Sequence, residues 1–181
     1  MKMVALLKGI NVGGNRKVPM PKLIALVESA GLTAVKSYIN SGNIVFEAAK
    51  LKPEQVCTKI EKRIEQGFGF KVEVVVRTAS QWEKYSSGSP FPSAESNRPT
   101  MLHLGLSKNT LKGVLIEALT EKAINGEKIK IVGDALWVDF AKSVGNSKLT
   151  PAVFDKAAGS TVTMRNWNTV LKLNELLKEE Q

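Results

Sequence analysis

The sequence predicts an α+β chain built from two consecutive βαββαβ units, and three observations lead there. From Met3 to Val76, short β-type runs alternate with longer stretches of helical period in the order β, α, β, β, α, β. A segment dense in turn formers, Ser86-Ser87-Gly88-Ser89-Pro90-Phe91-Pro92-Ser93, then interrupts all regular patterning. The same order restarts at Met101, without visible repetition of residues. A βαββαβ order is that of ferredoxin-like folds. The expectation is two tandem ferredoxin-like subdomains, 1–78 and 100–181, joined by a helix and linker over 79–99, the second carrying an extra C-terminal helix.

Each element has its own signal. Met3 to Ile10 is a short apolar run with Gly9 near its end, as in a buried strand. Pro19 and Pro21 open a helix with Leu23, Leu26, Val27 and Ala30 at helical spacing, and Gly31 closes it. Val35–Ile39 and Ile44–Phe46 flank Asn40-Ser41-Gly42-Asn43, a hairpin signal because Asn and Gly tolerate positive φ. Pro53 starts a second helix with Val56, Ile60 and Ile64 on one face, and Val72–Val76 reads as the fourth strand. Thr78 is a plausible N-cap for a short helix to Tyr85.

In the second half, Met101–Leu106 is a strand and residues 111–123 a helix. Lys128–Val132 and Leu136–Phe140 form a hairpin around Gly133-Asp134. Thr150-Pro151 opens a helix to Ala158, with Pro at the first helical position. Thr161–Met164 is β-prone, and residues 169–180 form the last helix, with Leu173, Leu176 and Leu177 on its apolar face.

Composition narrows the function classes. No stretch approaches the roughly 18 apolar residues that a membrane helix needs, so no membrane partner is expected. The single cysteine, Cys57, excludes an internal disulfide and any cysteine-rich metal site. With no export signal at the N-terminus, the cytoplasm is the expected compartment. Net charge is +9, and residues 1–85 hold +7 of it. A basic field suits an anionic small molecule or nucleic acid, and solubility alone is the competing reason for it.

The loop Gly9-Ile10-Asn11-Val12-Gly13-Gly14-Asn15-Arg16-Lys17 places glycines at a strand exit and two cations beyond. Its N–H groups could face an anion, with Arg16 and Lys17 supplying charge; a tight turn needing positive φ explains the glycines equally well. Neither a P-loop nor a dinucleotide fingerprint fits. In a βαββαβ sheet strands one and three are adjacent and antiparallel, so this loop and the Asn40–Asn43 turn should share one end of the first sheet. The anion-binding candidates are therefore Lys8, Asn11, Gly13, Gly14, Arg16, Lys17, Asn40, Ser41 and Asn43.

Lys148, Arg165 and Asn166 join that set from the second half, within Ser147-Lys148 and Arg165-Asn166-Trp167-Asn168-Thr169. An arginine fork commonly binds carboxylate or phosphate, and an intersubdomain salt bridge competes with that reading. Asn168 is expected to cap the last helix. No catalytic template fits: His103 is the sole histidine, on a strand, with no nucleophile motif near it. No metal site and no cofactor are expected. The aromatic signature of RNA-recognition sheets is also missing.

Two stretches, Ala5–Gly14 with Val18-Pro19-Met20 and Tyr38–Phe46, resemble the bacterial domain-of-unknown-function 1697 family. Ser147-Lys148-Leu149 and Thr163–Val170 match its C-terminal signature. The resemblance implies tandem ferredoxin-like subdomains and brings no activity, cofactor or catalytic residue with it. Asn40 stands where that family often has glutamine. An anion-binding module leads the functional expectations; an enzyme acting on a phosphorylated metabolite and a protein–protein module are the alternatives.

Overall fold

In the computed structural model of the chain, residues 1–111 and 114–179 are described, without the side chains of 114 and 115. The chain divides into two compact units. One holds residues 1–83 together with the segment from Leu173, and the other is Lys84–Lys172.

The first unit contains β1 (Lys2–Leu7), α1 (Met20–Ser29), β2 (Thr33–Tyr38), β3 (Asn43–Glu47), α2 (Pro53–Phe68) and β4 (Val74–Thr78). The strands form one antiparallel sheet in the order β2-β3-β1-β4. With β1 and β3 side by side, the two crossings each place a helix on the same face, as the ferredoxin-like topology requires. Alternation assigns the faces of β1. Met3, Ala5 and Leu7 lie in register with Phe46, Ile44, Val76 and Val74, and all belong to the core beneath α1 and α2. Val4 and Leu6 point the other way and are buried as well, beside Val45 and Val75. Burial on both faces is why this strand reads as a continuous apolar run rather than an alternating one.

The second face of this sheet also carries Lys2 and Lys36. Lys2 Nζ donates to the main-chain carbonyl of Glu179 at 2.7 Å, and Lys36 Nζ pairs with the Glu179 carboxylate at 2.8 Å. Leu173 and Leu177 of the same terminal segment are buried. The end of the chain therefore lies over the face that α1 and α2 leave uncovered.

The helix α3 (Ala79–Ser86) begins on a capping box. The Gln81 N–H donates to Thr78 Oγ1, and the Thr78 N–H donates to Gln81 Oε1. The stretch expected to be irregular contains a further short helix, α4 (Pro92–Asn97). Pro92 occupies its first position, where a missing N–H costs nothing, and Ala94 is fully buried.

The second unit continues with β5 (Leu102–Ser107), α5 (Val114–Thr120), β6 (Lys128–Val132), β7 (Ala135–Asp139), α6 (Pro151–Ala158), β8 (Val162–Asn166) and the start of α7 (Trp167–Lys178). Its sheet repeats the first topology, β6-β7-β5-β8. The beginning of the expected helix at 111–123 falls on residues outside those described. Leu119 of α5 and Phe154 of α6 pack with Leu136, Val138, Phe140 and Val162 in the core of this unit. The opposite face carries Leu102, Leu104, Leu106 and Trp137, also buried.

The end of β7 is held by an ion pair between buried Asp139 and half-exposed Arg98. Arg98 Nε and Nη2 donate to the two oxygens of Asp139 at 2.9 and 2.6 Å, and the Ala141 N–H adds a third bond at 2.9 Å. Burial alone would raise the Asp139 carboxyl, but the guanidinium and the amide outweigh it and hold the group below the usual carboxylate range.

Candidate functional site

The loop after β1 is ordered by its own backbone. Val12 and Asn15 form a one-bridge hairpin, with the Asn15 N–H donating to Val12 O at 3.1 Å. Between them Gly13 and Gly14 have φ of 58° and 77°, the two consecutive left-handed residues that a type I′ turn demands. Asn11 itself is left-handed, with φ of 54°, a conformation that asparagine tolerates better than most side chains.

Asn11 then ties three pieces of chain together. Its Nδ2 donates to Val18 O at 3.0 Å and to Asn40 O at 2.8 Å, while its Oδ1 accepts the Val18 N–H at 2.8 Å. One amide thus closes the glycine loop at its base and fastens it to the β2–β3 hairpin. The hairpin approaches from the other side as well. Gly42 O accepts the Leu7 N–H at 2.8 Å, and a Cβ at Gly42 would lie 2.7 Å from Leu7 Cβ. The adjacency of loop and hairpin expected from strand order is present in the first unit.

Between them lies an open cleft of about 380 Å³ lined by Asn11, Gly14, Lys17, Val18, Pro19 and Asn40. Gly13, Arg16 and Ser41 are exposed on the same two loops, and Lys8 is half-buried at the strand exit. Val12 and Ile39 are exposed at 67% and 53%, so both loops also carry apolar tips. Ile39 has φ of 49°, an unusual conformation for a β-branched residue.

Asn43 has a different place. It is fully buried, and its Nδ2 donates to Tyr38 O and Ser41 Oγ at 3.1 and 2.8 Å. Its side chain braces the turn from inside. Val18 and Pro19 line the cleft although sequence patterning assigns them only to the helix start. The signal for Val18 is an apolar residue directly after two cations, which marks where the chain returns to the core.

Lys148, Arg165 and Asn166 belong to the second unit. Lys148 is exposed on the segment before α6. Arg165 is half-buried in β8, in register with Leu104, and Nη1 donates to Thr163 Oγ1 at 3.0 Å and Met164 O at 2.8 Å. Burial lowers its pKa to about 10. Asn166 Oδ1 accepts the Thr169 N–H at 3.0 Å, so the N-cap of α7 is Asn166 rather than the expected Asn168, which is exposed.

Among the described residues, no group of three His, Cys, Asp or Glu could hold a metal ion. His103 is half-buried edge-on against Phe140 at 5.1 Å, and burial, aided by the Arg165 charge, lowers its pKa. Cys57 is buried on α2, with its thiol directed at Val74 O. No helix is long and apolar enough to cross a membrane among the described residues.

Known proteins place the fold and leave the activity open. The curated proteins contain no match to the chain. A conserved bacterial protein, SP0830 from Streptococcus pneumoniae, is similar over 98% of both chains, with a TM-score of 0.73 and 24% identity. That likeness shows the same two-sheet α+β fold. The family model described as "Protein of unknown function (DUF1697)" matches residues 1–137, and the chain belongs to that family.

Proposed function

We propose that the first unit is a binding module for a small phosphate-bearing ligand of nucleotide size, seated between the glycine loop and the Asn40 turn. The observation that carries this reading is the Asn11 amide, whose bonds to Val18 and Asn40 fix both walls of the cleft before any ligand arrives. Preorganised walls lower the ordering cost of binding.

The cleft volume of about 380 Å³ suits one small molecule. Lys17 lines the cleft and Arg16 stands exposed next to it; both would meet phosphate oxygens. Exposed Gly13 and Gly14 leave main-chain N–H groups open to approach. The net charge of +7 over residues 1–85 favours anions at longer range. Base stacking on the β-sheet, as in RNA-recognition domains, does not fit: Val4, Leu6, Val45 and Val75 on the face opposite α1 and α2 are aliphatic and buried.

Calorimetric titration with mono-, di- and triphosphate nucleotides at two salt concentrations tests the proposal. Binding that weakens with salt and falls at least tenfold in the Arg16→Ala, Lys17→Ala double variant supports it. No heat with any nucleotide, or an affinity that the double variant leaves unchanged, overturns it.

A further inference from the structure

Helix α2 segregates its charges. With about 100° of rotation per residue, its core stripe is Val56, Cys57, Ile60 and Ile64, all buried. Glu54, Glu61 and Glu65 fall on one flank of that stripe, Lys59 and Arg63 on the other, and Lys62 on the outward face between them. Spacing i to i+4 therefore pairs Glu61 with Glu65 and Lys59 with Arg63. Like charges so placed weaken a helix, whereas interleaved signs strengthen it. The arrangement works against α2 unless each flank has a separate use.

The acidic flank has a structural one: Glu61 Oε1 accepts the Val74 N–H at 2.8 Å. On the cationic flank, Arg63 Nη2 donates to Ser29 O at the end of α1, at 3.1 Å. Lys59 and Lys62 are held by no hydrogen bond or ion pair among the described residues. These three cations and Gln66 line a surface cleft of about 270 Å³ beside Ala30.

The chemistry of the cleft selects among polyanions. A protein partner wants an apolar or aromatic anchor at the centre of its interface, and no exposed large hydrophobic residue lies on α2. A single nucleic-acid strand wants aromatic side chains on which its bases stack, and none lines this cleft. Phosphates along a duplex ask only for cations and amides at intervals. Lys59 to Gln66 spans about 10 Å of helix axis, roughly the rise of three phosphates along one strand.

We infer that this flank of α2 is a sequence-independent contact for the phosphate backbone of double-stranded nucleic acid, independent of the loop cleft. The test is fluorescence anisotropy of a labelled duplex of about 20 base pairs, titrated with the whole chain at several salt concentrations. Lys59→Ala with Lys62→Ala is expected to weaken binding about tenfold or more at low salt. It should also flatten the plot of log affinity against log salt by about 1.8, since each phosphate contact contributes about 0.9 to that slope. Melting should stay unchanged, because alanine is at least as good a helix former as lysine.

The Arg16→Ala, Lys17→Ala variant leaves this flank intact and should keep the slope contributed by α2, which separates failure of the cleft from failure of the helix. Absence of duplex binding would overturn the inference. So would a slope that the lysine variant does not change, or tighter binding to polyglutamate than to the duplex.

Discussion

The side-chain amide of Asn11 donates to the main-chain oxygen of Asn40 at 2.8 Å, joining two turns that lie 29 residues apart in sequence. The same amide closes its own loop through Val18. One side chain thus contributes to loop closure, to the loop–hairpin contact and to the cleft wall, beside the backbone bonds Asn11 N–H to Arg16 O and Leu7 N–H to Gly42 O.

Asn11→Ala should lower stability by about 2 kcal/mol, because it leaves the Val18 N–H without its acceptor and puts alanine at positive φ. Asn11→Asp keeps the acceptor for Val18 but sets a carboxylate oxygen against the carbonyls of Val18 and Asn40, so it should be at least as costly for folding. For ligand binding it should be as damaging or worse, since it adds a negative charge to the cleft. Chemical denaturation alongside nucleotide titration of both variants checks the two effects separately.

The glycines of the two turns should differ sharply. At Gly42 a Cβ would meet Leu7 and Ile10 atoms at 2.7 and 2.9 Å, with φ of +77°. Gly42→Ala should therefore cost about 3 kcal/mol from overpacking and strain together. At Gly13 nothing lies within 4 Å of the added carbon, so Gly13→Ala should cost only the left-handed penalty of about 1 kcal/mol. Melting temperatures of the two variants decide the point.

Arg98→Ala should destabilise the second unit, since it strands a carboxylate whose side chain is 1% exposed. The ion pair also sets a pH dependence. The folded pKa of Asp139 is depressed, so its contribution is present above the unfolded value of about 3.9. It disappears as pH falls through the lower folded value. Thermal melts from pH 6 to pH 2 should show a steeper acid loss in the wild type than in Arg98→Ala.

Asn166→Ala should cost about 1 kcal/mol by removing the N-cap of α7, while Asn168→Ala should be close to neutral. Urea titrations resolve a difference of that size.

These contrasts show how far the sequence could be read. The order of elements was legible because apolar spacing changes cleanly between helix and strand. The bounds of β6, Lys128–Val132, follow directly from alternating lysine and isoleucine. The meeting of glycine loop and hairpin was legible from topology alone, since strand order forces those two ends together. The helix α4 was hidden because Ser and Pro dominate Ser86–Ser93, and only the burial of Ala94 reveals why it forms.

The site was less legible than the fold. Asn43 looks identical to Asn40 in composition, yet the hairpin turns one amide inward and leaves the other exposed. The α7 cap shifted from Asn168 to Asn166 because β8 runs on through Asn166 and the helix follows at once. Neither outcome has a local sequence signal, because both depend on where a strand stops.

The most direct measurement for the anion-binding account is amide chemical-shift mapping of the labelled protein during titration with ATP. Saturable shifts are expected at Gly13, Gly14, Lys17 and Asn40, reduced in Asn11→Asp, with α2 unaffected at stoichiometric ligand. Shifts that are absent, or that centre anywhere other than the two turns joined by Asn11, would contradict the anion-binding account.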